Sequence, residues 1–244
     1  MRCHPIMGIK RHRKVYSSFN FMGTAIQSGA GDDNGALTFL FTRIADDLVN
    51  KGYAILPDAL PDSLINSLER CQYSMLDSAF EQAGIGRKQD FQHDQRIRRD
   101  EICWIDGSMP EGQQWLGFCE SLKDFLNQQL FMGLFSVESH FARFESGAFY
   151  KRHYDAFRGQ DNRVLSMVTY LNADWQLADG GELVLYADDA DCEGTAVLPR
   201  RGTLVIFLSE RFPHEVKPAR KTRESVATWF RLNTTRPGRV DPPR

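Results

Sequence analysis

The segment Phe149-Tyr150-Lys151-Arg152-His153-Tyr154-Asp155 decides how the rest of this chain is read. Its His and Asp stand two residues apart, and on an extended chain such residues project to the same side. Both can therefore reach one metal ion if the segment is a strand. Two side chains do not hold a catalytic metal, so a third ligand has to return from elsewhere in the same sheet system. His214, in Phe212-Pro213-His214-Glu215-Val216, opens a later strand candidate and can supply it. Two His and one carboxylate form a facial triad that leaves positions open on an octahedral iron(II) ion, and these suit a bidentate 2-oxo acid and dioxygen.

The residues around the triad separate this reading from blander ones. His-x-Asp alone occurs by chance in many chains. Beyond His214, however, lies Arg223, on a following strand whose guanidinium can grip a carboxylate bidentately. Arg220 and Lys221 read as a solvated turn. His4 and His12 (in a basic arm), His93 (in a charged loop) and His140 (at a strand start) read as surface or core histidines. Two His and a carboxylate also bind zinc, but a zinc hydrolase needs a general base beside the metal. The one neighbouring candidate is Glu215, and alternation should turn it to the other side of the strand from His214.

The rest of the chain supports one α+β unit. Residues 1–35 carry Arg2, Lys10, Arg11, Arg13 and Lys14 and then a Gly/Ser/Asp-rich stretch, and they read as a flexible basic extension. From Ala36, Phe39, Leu40, Ile44, Leu48 and Val49 recur at helical spacing until Gly52. Tyr53-Ala54-Ile55-Leu56 predicts a strand. A second helix runs from Pro61 to about Ala83, with Leu64, Leu68, Cys71, Met75 and Leu76 on one face. Residues 85–100 read as an exposed, polar loop that could close as a lid. Ile102–Ile105 predicts a strand and Gln113–Phe135 a third helix. After residue 136 come strand candidates at Val137–Phe144, Val164–Leu171, Glu182–Tyr186, Thr203–Leu208 and Val226–Leu232, parted by turn signals such as Asp179-Gly180-Gly181. Helices followed by short strands predict an α+β jelly-roll barrel with supporting N-terminal helices.

Composition narrows the function classes. The chain is 42% hydrophobic and 25% charged with a net charge of −2, which argues against a general electrostatic drive towards nucleic acid or anionic membrane. No apolar run is long enough to span a bilayer, and no secretory signal pattern is seen at the start. The cysteines (Cys3, Cys71, Cys103, Cys119, Cys192) are scattered without a CxxC pair, which favours a reducing cytoplasm.

Several linked stretches resemble the prolyl 4-hydroxylase-like branch of the 2-oxoglutarate/Fe(II)-dependent dioxygenases, the branch of hypoxia-factor prolyl hydroxylases and their bacterial relatives. They are Arg143–Asp155, Thr169-Tyr170-Leu171-Asn172-Ala173-Asp174-Trp175, Gly180-Gly181-Glu182-Leu183, Gly202–Phe207, Pro213-His214-Glu215-Val216, Thr222-Arg223 and Thr228-Trp229-Phe230. Arg98–Gly107 is similar to the segment that flanks the substrate channel in those enzymes. The resemblance covers roughly residues 40–233. It implies a double-stranded β-helix (cupin-like) core over 137–235, joined in one compact domain to a helical support region at 36–136 with its substrate-flanking loop, and followed by a tail at 236–244. It implies His153, Asp155 and His214 as iron ligands and Arg223 as the 2-oxoglutarate partner. Tyr170 matches a position that hydrogen-bonds the same carboxylate, and Trp229 a pocket-wall aromatic. Tyr150 and Arg152 would line the mouth, with Asp100 and Trp104 on the flanking segment. Phe144 departs from the family pattern, in which many relatives carry Tyr.

The implied activity is hydroxylation of a prolyl residue in a protein, with a translation factor or ribosomal protein as candidate substrate. It would consume 2-oxoglutarate and O2, release succinate and CO2, and use Fe(2+) with L-ascorbate as supporting reductant. Val168, Leu183, Leu185, Ile206 and Val226 suit either a shielding wall or plain core, and are read as core. The alternatives are a related oxygenase acting on a small molecule or another residue, and a non-enzymatic cupin-like sensing module. The sequence leaves the oligomeric state open.

Overall fold

The computed structural model describes residues 31–75, 77–84, 96–156 and 162–233. The basic arm before residue 31, the tail from 234, Leu76 and most of the expected loop at 85–100 lie outside them, as do Cys3, His4, His12 and His93.

Strand alternation sorts the core into two layers. β1 (Tyr53–Leu56), β2 (Glu81–Gln82), β3 (Glu101–Trp104), β4 (Ser136–Phe144), β6 (Arg163–Tyr170), β9 (Leu204–Leu208) and β11 (Arg223–Arg231) form an antiparallel sheet in the order β1-β9-β6-β11-β4-β3-β2. A second antiparallel sheet has the order β5-β10-β7-β8, from β5 (Tyr150–His153), β7 (Leu183–Leu185), β8 (Thr195–Val197) and β10 (His214–Val216). Successive side chains of a strand face opposite ways. On the larger sheet, Phe141, Leu165, Met167, Leu204, Ile206, Val226 and Phe230 pack with the helices α1 (Gly31–Lys51), α2 (Asp62–Ser74) and α3 (Pro110–Leu130). The intervening residues, Ala142, Phe144, Tyr170, Val205 and Phe207, meet Leu183, Leu185, Val197 and Val216 of the smaller sheet. The result is a jelly-roll sandwich, a double-stranded β-helix with helices on one outer face, as the order of elements predicts. The five residues read as core divide between the layers: Ile206 and Val226 face the helices, and Val168, Leu183 and Leu185 face the interior.

The chain just before β3 ties the two sheets together along one side. Lys151 donates its backbone N–H to Ile97 O at 2.9 Å and Arg99 donates to Phe149 O at 3.0 Å. The end of the expected exposed loop is therefore built into the barrel, and Asp100 is buried.

Two helices stop earlier than their apolar periodicity suggests, each because a side chain claims backbone groups. At the end of α2, the Ser74 hydroxyl donates to Arg70 O (2.8 Å) and Cys71 O (3.0 Å), and Met75 is extended. At the end of α3, Asn127 makes two 2.8 Å hydrogen bonds with the backbone of Leu134, and Phe131 takes the left-handed conformation. The first helix runs the other way, beginning at Gly31 inside the glycine-rich stretch, and Phe39 and Val49 point to solvent while Leu40, Phe41, Ile44 and Leu48 are buried.

Leu122 on α3 has no exposed surface in the helix-facing core. Leu122→Ala should lower the unfolding free energy by about 2–5 kcal/mol, read as a lower denaturant midpoint. Phe131→Ser, at a side chain 89% exposed, should stay within about 0.5 kcal/mol of the parent.

Candidate metal centre

β5 and β10 pair antiparallel with His153 directly opposite His214, and β10 also pairs with β7, which places Leu185 on its other flank. The two imidazoles lie 4.3 Å apart between ring centroids. Asp155, two residues past His153, completes the group: its carboxylate oxygens are 3.6 Å from His153 Nε2 and 3.6 Å from His214 Nε2. The ligand atoms of the three residues all lie within 4.8 Å of one another. This separation suits three donors around one ion. Nδ1 of His153 lies 2.8 Å from Lys151 O and Nδ1 of His214 lies 3.2 Å from Phe212 O. Those carbonyls need a proton to accept, so they fix it on Nδ1 and leave the Nε2 lone pairs for a metal.

The larger sheet supports the carboxylate. Ser166 donates its hydroxyl to Asp155 Oδ2 at 2.6 Å, and Ser209 sits 2.8 Å behind Ser166. Burial pushes the Asp155 carboxyl up, but the charges of His214 and His153 together with Arg163 outweigh it and hold the group well below its ordinary range. Burial and the neighbouring His153 push His214 down to about 4, against Asp155. The triad thus sets an ionised carboxylate beside a His214 imidazole that burial holds neutral, the forms in which those two groups bind a metal.

At the other end of the same interior face lies a buried cation. Arg223 donates from Nε to Gly181 O (2.9 Å) and from Nη1 to Ser225 Oγ (3.2 Å), and no carboxylate pairs with it among the described residues. Its guanidinium lies 5.0 Å from the Tyr170 ring centre and 5.1 Å from that of Phe144. The buried Tyr170 hydroxyl has no hydrogen-bond partner among the described residues, and burial pushes its pKa up to about 12 against the pull of Arg223. A buried guanidinium without a counter-ion is costly. Beside an unpaired hydroxyl it forms a receptor for a carboxylate, the chemistry that the distal end of a 2-oxo diacid offers. Gly181 makes room: at φ +75° a side chain there would meet Ala219, Trp175 and the Arg223 Cδ at 2.9, 3.1 and 3.4 Å.

The remaining expected site residues fall in different places. Tyr150 stacks on His153 with centroids 3.5 Å apart. Asp100 is locked to Arg98, whose guanidinium lies 4.4 Å from the Tyr150 ring centre, so it acts on the site through Arg98. Trp104 is 51% exposed and meets His140, which in turn meets Trp229. Trp229 pairs across the sheet with Ser166 and Glu138, at the level of Asp155, and Arg163 covers its ring at 3.7 Å. Arg152 is the exception. It lies over Tyr186 at 3.8 Å on the outer side of the smaller sheet and hydrogen-bonds loop carbonyls there, so it does not line the mouth. The physical reason is the alternation that turns His153 inward. Glu215 is likewise turned outward, bound by Tyr186 and Lys217, which removes the general base a zinc hydrolase would need. Lys221 pairs with Asp179 at 2.9 Å. His140 is buried in mid-strand rather than at its start. Sequence reasoning missed Ser166, although it shares an interior face with Tyr170 four residues on.

With this geometry in place, comparison with known proteins is informative. The sequence model of the 2OG-Fe(II) oxygenase superfamily matches residues 139–231, which include the triad and Arg223. A prolyl-4-hydroxylase from Pseudomonas putida is 37% identical, with a TM-score of 0.69, over 79% of this chain and 99% of that one. The chain belongs to the 2OG-Fe(II) oxygenase superfamily. A Trichoplax adhaerens prolyl hydroxylase, solved in complex with a hypoxia inducible factor oxygen degradation domain peptide fragment, is 25% identical with a TM-score of 0.71. That match covers 84% of this chain and 94% of the other. Human Egl nine homolog 1 is 29% identical over 154 residues, 60% of this chain, which spans only 35% of that relative's length. The superfamily's iron(II), 2-oxoglutarate and O2 fit the donor set and the carboxylate receptor described above.

Two outcomes follow from the interior face. Removing the Ser166 hydroxyl (Ser166→Ala) should weaken Co(II) binding by about 10- to 100-fold, while Ser166→Thr keeps most of it; calorimetric titration decides. Burial pushes His140 down to about 4 from 6.5. The unfolded chain then binds the extra proton first, so stability rises with pH through this window. Acidification from about 6.5 to about 4 should cost about 3 kcal/mol at this residue, and denaturation of His140→Phe across that range should lose that part of the slope.

Proposed function

We propose that this chain is an iron(II)- and 2-oxoglutarate-dependent dioxygenase that hydroxylates a prolyl residue in a protein, releasing succinate and CO2. The observation that carries the reading is the pairing, inside one sandwich, of a three-donor metal cluster with a buried arginine that has no carboxylate partner among the described residues. When bound, iron and the oxo acid supply the oxidising chemistry; the protein orients and shields.

In this reading His153, Asp155 and His214 hold the metal on one side and leave the rest of its surface to cosubstrate and O2. Arg223 and Tyr170 take the distal carboxylate. Along β6, Ser166 and Tyr170 are four residues apart, roughly 13 Å of strand, and the side chains of Tyr170 and Arg223 shorten that gap to the reach of a five-carbon diacid. Phe144 and Val168 keep the pocket wall apolar, and Ser166 keeps Asp155 aimed. Tyr150, held against His153 by Arg98, and Trp229, covered by Arg163, line the end at which a polypeptide would enter, with Trp104 on the flanking strand.

A prolyl target in a protein is favoured by the Pseudomonas putida match, which spans nearly the whole of a prolyl-4-hydroxylase, and by the peptide-bound Trichoplax enzyme. Translation factors and ribosomal proteins are the first substrates to try, with ascorbate as reductant. The described cysteines, Cys71, Cys103, Cys119 and Cys192, are all unpaired, which suits a reducing cytoplasm. No described helix is long and apolar enough to cross a membrane.

Succinate release with iron(II), 2-oxoglutarate and candidate prolyl peptides should be accompanied by one added oxygen on the peptide by mass spectrometry. His153→Ala should abolish it. Arg223→Lys should raise the KM for 2-oxoglutarate on the order of 10- to 100-fold with a smaller change in kcat. Turnover stimulated by free amino acids or nucleobases and by no peptide would refute the prolyl assignment, and no iron-dependent turnover at all would refute the enzyme.

A further inference from the structure

The pairing that brings the two imidazoles together is weak as a ladder. β10 has three residues, and its register with β5 slips between His214 and Val216, so the backbone holds His153 opposite His214 over a very short, irregular run. The opposite face of the same sheet carries a polar network that spans all three strands at this point. Arg152 is the neighbour of His153, Glu215 the neighbour of His214, and Tyr186 the neighbour of Leu185, which pairs with His214. The Arg152 guanidinium lies flat over the Tyr186 ring at 3.8 Å, and Tyr186 donates its hydroxyl to Glu215, which is also paired with Lys217 at 2.6 Å.

Arg152 is itself fixed from a third side. It donates to the backbone carbonyls of Asp191 (2.9 Å) and Asp188 in the loop after β7. That loop is folded on its own carboxylates. Asp191 accepts from the backbone N–H groups of Ala187 (2.9 Å), Glu193 (3.0 Å) and Gly194 (3.0 Å), and Asp188 accepts from Ala190 (2.8 Å) and Asp191 (3.0 Å). Tyr154, adjacent to Asp155, donates to Asp189 at 3.0 Å. Gly194 lies against Tyr186: at φ +65° any Cβ there would sit 2.6 Å from Val184 and 2.9 Å from the Tyr186 ring. The loop therefore presents preset carbonyls to one guanidinium, and that guanidinium presents a flat surface to one tyrosine.

We infer that Arg152, Tyr186 and Glu215 form a latch on the outer face of the small sheet that sets the spacing of His153 and His214, making them positioning residues for the metal. The latch needs no contact with the metal. Each member is one residue from a ligand or its cross-strand partner, and a strand transmits rotation about its axis from one face to the other. Residues that orient ligands from behind commonly govern metal affinity 10- to 100-fold. The inference rests on the triad being a metal site, so that point is tested first in the same experiment.

The full chain is titrated calorimetrically with Co(II), with the Co(II) ligand-field spectrum and the metal-free melting midpoint recorded for each variant. Parent protein should bind one Co(II), and His153→Ala should lose it; binding that survives His153→Ala would refute the triad reading, and with it the latch. With the triad upheld, Tyr186→Phe should weaken Co(II) binding by about tenfold and alter the ligand-field bands, with little change in the metal-free midpoint. Arg152→Ala should do the same, and Arg152→Lys, which cannot stack flat while bonding two carbonyls, should recover only part. Glu215→Gln keeps the acceptor for Tyr186 and should stay near parent affinity, whereas Glu215→Ala should match Tyr186→Phe. Parent-like affinity and spectrum in both Tyr186→Phe and Arg152→Ala would overturn the latch. So would a fall in the metal-free midpoint with affinity unchanged. Equal loss in Glu215→Gln and Glu215→Ala would assign the effect to charge and overturn it as well.

Discussion

The metal cluster exists only because two sheets close on each other. His153 and His214 come from the small sheet, where they are cross-strand partners. Asp155 leaves that sheet and is captured by Ser166 from the large one. Three donors within 4.8 Å thus straddle the sandwich. If the sheets part, Asp155 loses the Ser166 hydrogen bond that aims its carboxylate at the imidazoles. The helices are remote from the chemistry, yet Trp115, Leu122 and Leu126 of α3 pack behind the large sheet with Phe230 of β11. That packing backs the sheet from which Ser166 reaches Asp155.

The interior face trades stability for function at its far end. An apolar residue at Arg223 would pack against Phe144 and Tyr170 at no electrostatic cost, whereas burying a guanidinium with only neutral hydrogen-bond partners is costly, and that burial lowers its pKa. In the proposed reading a diacid's carboxylate would offset this cost and give the Tyr170 hydroxyl a hydrogen-bond partner, which would tie affinity to one carboxylate geometry.

Much of this was legible in the sequence, for a definable reason. His153 closes β5 with Asp155 two residues on, just past the strand, and Arg223 opens β11 after the Pro218–Thr222 turn; both signals are local in the chain and survive without a structure. The strands of the large sheet were harder, because both of its faces are buried and alternation between polar and apolar disappears. Hence Ile206 and Val226 suit wall or core equally in the sequence; read as core, they pack on the helix side. Helix ends were misjudged where Asn127 and Ser74 cap the backbone, since such hydrogen bonds leave no periodic trace. Arg152 was placed by resemblance at the mouth, where plain alternation from His153 would have sent it outward.

The end of the barrel beside the triad ties its arginines to carboxylates. Arg98 is bound to Asp100. Glu138 accepts from Arg163 at 2.9 and 3.0 Å and from Arg231 at 3.0 Å, and the Arg163 guanidinium lies on Trp229. Charges neutralised at contact distance project little field beyond a Debye length of roughly 8 Å, and the whole chain is close to neutral. In the proposed reading a target would be met by contact: the flat faces of Tyr150, Trp104 and Trp229, and guanidinium N–H groups held in place by their carboxylates. A rigid, apolar ring such as proline suits those faces, because it loses little conformational freedom on ordering and presents no backbone N–H that must be satisfied inside the barrel. In that reading cosubstrate and target would be sorted by place: the diacid's carboxylate at Arg223, which has no carboxylate partner among the described residues, and the apolar ring at the aromatic faces beside the triad.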